Sequence, residues 1–380
     1  MVWLSGLRTH NPPTFPVSKR YRRTHNSDVK LPPHPLGKKK IGNKVNTIYS
    51  VLRQILGSLV NLKLAPFDDS DDTLNDENRV LPVLVLAYLR SGSTFTAAIL
   101  QEAPRSFYVF EPLLSFFMTS SFKTTPSCTD PNYFSEDCRE AEVNNVMLGQ
   151  MSQFYSCNYS TSFFEPDHQA GRSNSERYLY DCIRTKNNTK ESCFLQTKEM
   201  CFRSRVRIIK TIRMSLRLTK KLFEKVPNLK IIHLIRDPRG VIGSRQHGDF
   251  MTKNNKGLLL SGAEICQRYM KDIEAAHEIE AIWPNRIKRI YYEKLATNSF
   301  GTAKEMFEFL GIPLPVNIQK WIHDHTSSKS SNDYYGTHRS NTSNISQKWR
   351  KTLNKYTIKN IDKQCEQLYK ITGYMYKSLE

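Results

Sequence analysis

Two stretches of this chain carry the residue types that suit chemistry on an anion. They are Arg90-Ser91-Gly92-Ser93-Thr94-Phe95-Thr96 and Arg236-Asp237-Pro238-Arg239-Gly240-Val241-Ile242-Gly243-Ser244. Each supplies arginine, hydroxyl groups and glycine within a short turn. Each follows an apolar run, Val80 to Ala87 (broken by Pro82) in the first case and Leu229 to Ile235 in the second. Bounded apolar runs of that length predict strands buried on both faces. Helix-forming residues follow each turn, with Ser93 or Thr94 as the expected N-cap of the first helix. Strand, glycine-bearing turn and helix together form a phosphate cradle. The first N–H groups of the helix lack intrahelical partners, and the dipole favours an anion there. Gly92 admits close approach of the backbone, and Arg90, Ser91, Ser93 and Thr94 add side-chain donors. The nucleoside-triphosphatase form of such a loop needs Gly-x4-Gly-Lys-Ser/Thr. Here Ala87 stands five residues before Gly92 and Ser93 takes the lysine position, which argues against an ATP- or GTP-using kinase.

Taken together, the two turns resemble the halves of the cofactor site in sulfotransferases. The first resembles the loop that holds the 5′-phosphosulfate of 3′-phosphoadenosine 5′-phosphosulfate (PAPS). The second resembles the strand-turn-helix that holds the 3′-phosphate through an arginine and, eight residues on, a serine: Arg236 and Ser244. Phe107-Tyr108-Val109-Phe110-Glu111-Pro112-Leu113, Tyr292-Glu293-Lys294-Leu295-Ala296, Phe309-Leu310-Gly311-Ile312-Pro313 and the tail from Trp349 to Tyr374 resemble segments of the Golgi carbohydrate sulfotransferases. Within that family the chain is similar to the group that sulfates the 6-hydroxyl of galactose, N-acetylgalactosamine or N-acetylglucosamine. The resemblance spans about residues 80–376. It implies PAPS as co-substrate, no metal, a keratan-, chondroitin- or mucin-type glycan acceptor, and a membrane-anchored protein of the Golgi lumen. The rival from another class is a catalytically inactive protein of the same fold that binds anionic glycans. Intact Arg90, Ser91, Arg236 and Ser244 argue against it.

Sulfuryl transfer to an alcohol asks for two things of the protein. Negative charge growing on the leaving phosphate must be stabilised, which Arg90 and the loop N–H groups suit. Lys210, at the end of the predicted strand Val206–Lys210, is either a second such cation or a strand-end surface lysine. The acceptor hydroxyl must also lose a proton. Glu111, ending a short strand after the first turn, is either that general base or a cap before Pro112. His233, inside an apolar strand, reads as a core histidine, and His247 is the alternative base.

The elements that position these residues alternate along the chain. Strands are expected at Val80–Ala87, Phe107–Phe110, Val206–Lys210, Leu229–Ile235 and Ile287–Tyr292. Helices are expected at Leu216–Val226, Leu258–Ile282, Thr302–Leu310, Asn317–His323 and Thr357–Ile371. This order implies an α/β fold: a P-loop-like, mainly parallel sheet with helices on both faces and its ligand at the carboxyl ends of the strands. Residues 80–380 form the expected sulfotransferase domain. It carries a Cys-rich polar insertion at about 119–204, with one helical stretch near Glu140–Phe154.

The chain has 380 residues and a net charge of +20. Such a basic excess suits anionic nucleotides, polysaccharides or membrane surfaces. Residues 1–44 hold ten Lys/Arg against one Asp, with repeated prolines and no apolar period, and are expected to be a disordered basic tail rather than a nucleic-acid-binding arm. Residues 45–79 read as an amphipathic helix (Ile48 to Val60) followed by an acidic linker. No run of 18 or more apolar residues and no signal-peptide core occurs, so a membrane-spanning segment is expected to be missing from this sequence. Six of the eight cysteines lie between Cys128 and Cys201, without CxxC spacing. With four Asn-x-Ser/Thr sequons, at Asn158, Asn187, Asn341 and Asn344, they point to disulfides in an oxidising compartment.

Overall fold

The computed structural model describes residues 80–114, 140–159, 172–185, 187–246, 255–327 and 342–374. The basic tail, the Ile48–Val60 helix, Cys128, Cys138, Asn341 and His247 lie outside them.

The chain runs β1 (Leu81–Leu86), α1 (Ser93–Gln101), β2 (Ser106–Phe110), α2 (Glu140–Tyr155), α3 (Asn174–Arg184), α4 (Lys190–Arg203), β3 (Val206–Thr211) and α5 (Leu216–Lys225). It continues through β4 (Lys230–Ile235), α6 (Pro238–Gln246), α7 (Asn255–Ile282), β5 (Ile287–Tyr291), α8 (Tyr292–Thr297) and α9 (Ser299–Leu310). The last helices are α10 (Ile318–Ser327), α11 (Thr342–Gln347), α12 (Trp349–Thr352), α13 (Lys355–Gln364) and α14 (Glu366–Thr372). The strands form one sheet in the order β2-β3-β1-β4-β5, with every pair parallel.

Alternation along β1 explains both layers. Leu84 and Leu86 face a core shared with α2, α5 and α7, whereas Val83 and Val85 face one shared with α1, α9 and α10. Successive side chains of a strand point to opposite faces, so a continuous apolar run is what a doubly covered sheet requires. From β1 the chain first builds outward to β2 and β3, then returns to add β4 and β5 on the other side. The order therefore reverses between β1 and β4. In open α/β sheets that reversal opens a crevice at the carboxyl ends, and both basic turns flank it.

Two expectations need correction. The insertion holds three helices, α2, α3 and α4, instead of one helical stretch. Helix α4 has little apolar periodicity, whereas α3 is short but amphipathic, burying Leu179 and Cys182. Both are also held by side-chain caps at Ser173 and Thr189 and by the disulfides Cys182–Cys193 and Cys157–Cys201. The expected helix Thr357–Ile371 is broken at Cys365, which is bonded to Cys266 of α7.

Candidate functional site

The first turn is shaped by Gly92, which caps α1 in the left-handed conformation at φ 94° with no side-chain cap bond. The expectation that Ser93 or Thr94 is the N-cap is thus corrected: a left-handed turn replaces the extended residue that a hydroxyl cap needs. A Cβ at Gly92 would lie 2.3 Å from the Tyr292 ring. The Ser91 hydroxyl is spent inside the loop, donating to the Tyr88 carbonyl at 2.7 Å and accepting from the Tyr88 N–H. Thr96 Oγ1 donates to the Gly92 carbonyl. Thr94 and Phe95 are partly exposed, and Phe95 stacks on Trp321 of α10. Ser93 is buried. Behind the loop, the buried Tyr88 hydroxyl donates to Asp272 at 2.6 Å and accepts from His233 Nε2 at 2.8 Å. His233 is accordingly a core residue, held neutral because burial pulls its pKa down to about 3.

The second turn meets the first directly. Arg236 Nη1 donates to the Arg90 carbonyl at 2.9 Å, and Arg90 Nε donates to Ser244 Oγ at 3.1 Å. The Arg236 guanidinium lies over the Tyr292 ring, 4.3 Å from its centroid, and Arg236 Nε is buried without a hydrogen-bond partner. A buried unpaired donor is costly unless a ligand completes it. Gly240 leaves room for this arginine, since a Cβ there would sit 3.0 Å from Arg236 Nε. The other predicted residues of this turn act inward. Asp237 pairs with Arg239 at 2.9 Å, and Arg239 reaches Asp362 of α13 at 3.1 Å. The Asp237 N–H donates to Glu293, whose other oxygen accepts from Tyr374. Pro238 opens α6, Val241 and Ile242 belong to the core, and Gly243 packs against Trp349. Arg236 and Ser244 are therefore the side chains of this turn that face the first one.

At the carboxyl ends of β2 and β3 the sheet gathers a charged cluster. Lys210 is 2% exposed, which removes the surface-lysine reading. Its ammonium pairs with Glu111, and Arg213 pairs with the same carboxylate from the other side. Parallel register explains the first contact, since Phe110 is level with Lys210 and the Glu111 N–H donates to the Lys210 carbonyl. Glu111 (φ 44°) and Arg90 (φ 70°) both occupy the left-handed region. Burial, with Arg172 and Arg90 nearby, pulls the Lys210 ammonium well below the usual lysine range, while Glu176 opposes that shift.

Arg213, Arg172 and Glu176 went unrecognised in the sequence, and Tyr292 stood there only as part of a resembling segment, with no role at the site. Arg213 follows Lys210 by three residues in a third basic turn at a strand end. Glu176 is the last residue of a Ser-x-x-Glu capping box opened by Ser173, a visible signal that was passed over. Its carboxyl is pushed up to about 8, chiefly by burial, and its Oε2 has no hydrogen-bond partner.

The chain is similar to known sulfotransferases. The sulfotransferase domain family matches residues 82–373. Carbohydrate sulfotransferase 5 of Mus musculus is 26% identical over 323 residues, covering 77% of this chain and 80% of the relative. Carbohydrate sulfotransferase 3 of Tetronarce californica is 26% identical over 366 residues, covering 88% of this chain and 80% of the relative. Among solved structures, the sulfotransferase domain of the Synechococcus PCC 7002 olefin synthase aligns with a TM-score of 0.42 at 16% identity, over 80% of this chain and 98% of that one. The family match takes in β1 and its glycine loop, the basic turn after β4 and the helices that brace them, and the chain belongs to the sulfotransferase domain family.

Proposed function

We propose that the protein transfers a sulfuryl group from PAPS to a sugar hydroxyl, the 6-hydroxyl of N-acetylglucosamine, galactose or N-acetylgalactosamine in a glycoprotein or glycosaminoglycan chain. The observation that carries this reading is the junction of the two turns across the β1/β4 crevice. Arg236, Arg90 and Ser244 are linked there, and Arg236 Nε is left as a buried donor without a partner. A nucleotide with phosphates at both its 3′ and 5′ positions is the ligand such a pair of anion sites suits. PAPS supplies a sulfuryl group attached to a phosphate leaving group. Arg236 and Ser244 hold its 3′-phosphate, and the Gly92 loop holds the 5′ end.

In this reading Arg90 and Lys210 stabilise the charge that develops on the leaving phosphate, and no metal is needed. Glu111 accepts the proton of the sugar hydroxyl. Its left-handed backbone is a strained state of the kind found at working sites. Burial on the grip of Lys210 and Arg213 fixes the carboxylate's direction. Three disulfides among the described residues, with the exposed sequon residues Asn158 and Asn187, support work in the Golgi lumen.

The test is transfer of labelled sulfate from PAPS to keratan-, chondroitin- and mucin-type acceptors. A companion melt with 3′-phosphoadenosine 5′-phosphate and no Mg²⁺ should show stabilisation of about 2.7 kcal/mol at 100 times the dissociation constant. Stabilisation without transfer to any acceptor would favour the inactive glycan-binding alternative.

A further inference from the structure

The sheet order lays the site out as a row. The second turn follows β4, the glycine loop follows β1, Lys210 is the last residue but one of β3 and Glu111 follows β2. The nucleotide of the proposed function occupies the β4 and β1 end of this row, so the acceptor must approach from the β2 end. One more cation stands there. Arg172, just before the Ser173 cap of α3, places its guanidinium 5.1 Å from the centroid of the Phe110 ring. Lys210 Nζ lies 4.3 Å from the centroid of the same ring. The Arg172 charge also acts on Lys210, so this arginine belongs to the β2 end of the row.

Two features set Arg172 apart from the other cations of the row. Lys210, Arg213, Arg236 and Arg239 are buried, whereas Arg172 is partly exposed; Arg90, the other partly exposed cation, is spent on Ser244 at the nucleotide end. Its place is also built. Asn174 accepts from the Tyr108 N–H at 2.9 Å and donates to the Ser106 carbonyl at 3.0 Å, and the Ser175 hydroxyl donates to the Tyr108 carbonyl. The disulfide Cys182–Cys193 ties α3 to α4. An arginine fixed on an aromatic face presents its fork at little cost in side-chain ordering, and that fork matches carboxylates and sulfate esters in geometry. Glu176 offsets part of the Arg172 charge, yet burial holds that carboxyl mostly protonated at neutral pH.

Resting on the sulfotransferase reading, we propose that Arg172 selects an acceptor already carrying an anionic group, a uronate carboxylate or a sulfate ester, beside the sugar that receives the new sulfate. The insertion then contributes substrate choice as well as covering one face of the sheet.

The test uses the full chain and three oligosaccharides of equal length: neutral N-acetyllactosamine, its counterpart bearing one sulfate ester, and a desulfated chondroitin fragment whose only anions are uronates. Wild type should use one or both anionic acceptors with the lower KM, and which of them distinguishes the two anions. Arg172→Gln should raise that KM about 10- to 100-fold, the range of a lost charge-assisted contact. The neutral acceptor's KM, the KM for PAPS and kcat should stay within about twofold, and Arg172→Lys should recover part of the preference. A pairing role toward Glu176 alone would instead lower the melting temperature and affect all three acceptors alike, and would overturn the inference. So would a rise in the KM for PAPS, or wild-type use of the neutral acceptor alone, with the sulfotransferase reading intact. Failure to sulfate any of the three would remove both.

Discussion

Replacing Gly92 by alanine tests how the two turns are fitted together. The new methyl carbon would sit 2.3 and 2.4 Å from Cδ2 and Cε2 of Tyr292, far inside van der Waals contact. Tyr292 opens α8 and backs the Arg236 guanidinium, so the ring cannot withdraw without disturbing the second turn. Two costs add. Holding alanine at φ 94° costs about 1–2 kcal/mol. Overpacking against a ring that gives only partly costs about 1–3 kcal/mol more. The expected loss is roughly 2–5 kcal/mol, or about 4–10 °C at ~2 °C per kcal/mol in a domain this large. The KM for PAPS should rise as well. Differential scanning calorimetry of Gly92→Ala, Tyr292→Ala and the double variant separates the terms. In the Tyr292→Ala background the added cost should fall to the backbone part alone, leaving an interaction energy of about 1–3 kcal/mol. Additivity within about 0.5 kcal/mol would refute the steric argument, and a Gly92→Ala protein as stable as wild type would refute the whole of it.

Three further outcomes follow from the site. Arg236→Ala is expected to raise the KM for PAPS about 10- to 100-fold with kcat nearly unchanged, since its contact lies away from the transferring group and is equal in ground and transition states; steady-state kinetics decides this, and an unchanged KM removes the 3′-phosphate assignment. Glu111→Gln should keep cofactor affinity and lower kcat about 10²- to 10⁴-fold, with the acidic limb of the pH–rate profile gone; a variant within threefold of wild type excludes a base at this position. Glu176 holds a proton in the native state up to about pH 8, whereas the unfolded carboxyl releases it near its ordinary value of 4.5. Stability from this group is therefore fully present below about pH 4.5 and is lost as pH rises through about 8, by roughly 2–5 kcal/mol in all. Glu176→Gln should melt higher than wild type at pH 8.5 and close to it at pH 5, and equal melting temperatures at pH 8.5 would contradict the shift.

Strands and turns were legible because their signals are local. The run Val83–Leu86 needs both faces covered wherever it sits, and each basic turn lies at the carboxyl end of its strand, where an apolar run followed by helix formers puts it. Distances across the sheet were not legible. Nothing in the residues around Lys210 shows that Phe110 lies level with it, so the grip of Lys210 and Arg213 on Glu111 had to be seen in space. The inward role of Asp237 and Arg239 was missed for the same reason, because Asp362 lies far along the chain. Helix α4 was missed because a cap and cross-links, rather than an apolar stripe, define it, and α3 because its apolar stripe is only three turns long. Arg172 fell with them, being legible only once α3 is placed against β2.

The attachment of α3 has a consequence for the behaviour of the molecule outside its folded, oxidised state. As the outer strand among the described residues, β2 leaves one row of backbone groups without a neighbouring strand there. Asn174, Ser175 and Glu176 occupy that row at Ser106, Tyr108 and Phe110. These three side chains stand where another polypeptide's backbone would otherwise pair. Bare outer strands recruit one another, and the usual defences are charges, bulges or a covering element. Here the cover hangs on Cys182–Cys193, a bridge closing a short loop. Secretion through a reducing environment, or loss of either cysteine, would uncover an apolar strand, Phe107-Tyr108-Val109-Phe110, of the composition that seeds strand-to-strand aggregation. Cys182 and Cys193 would then serve a purpose separate from catalysis, keeping copies of the enzyme from sticking to one another.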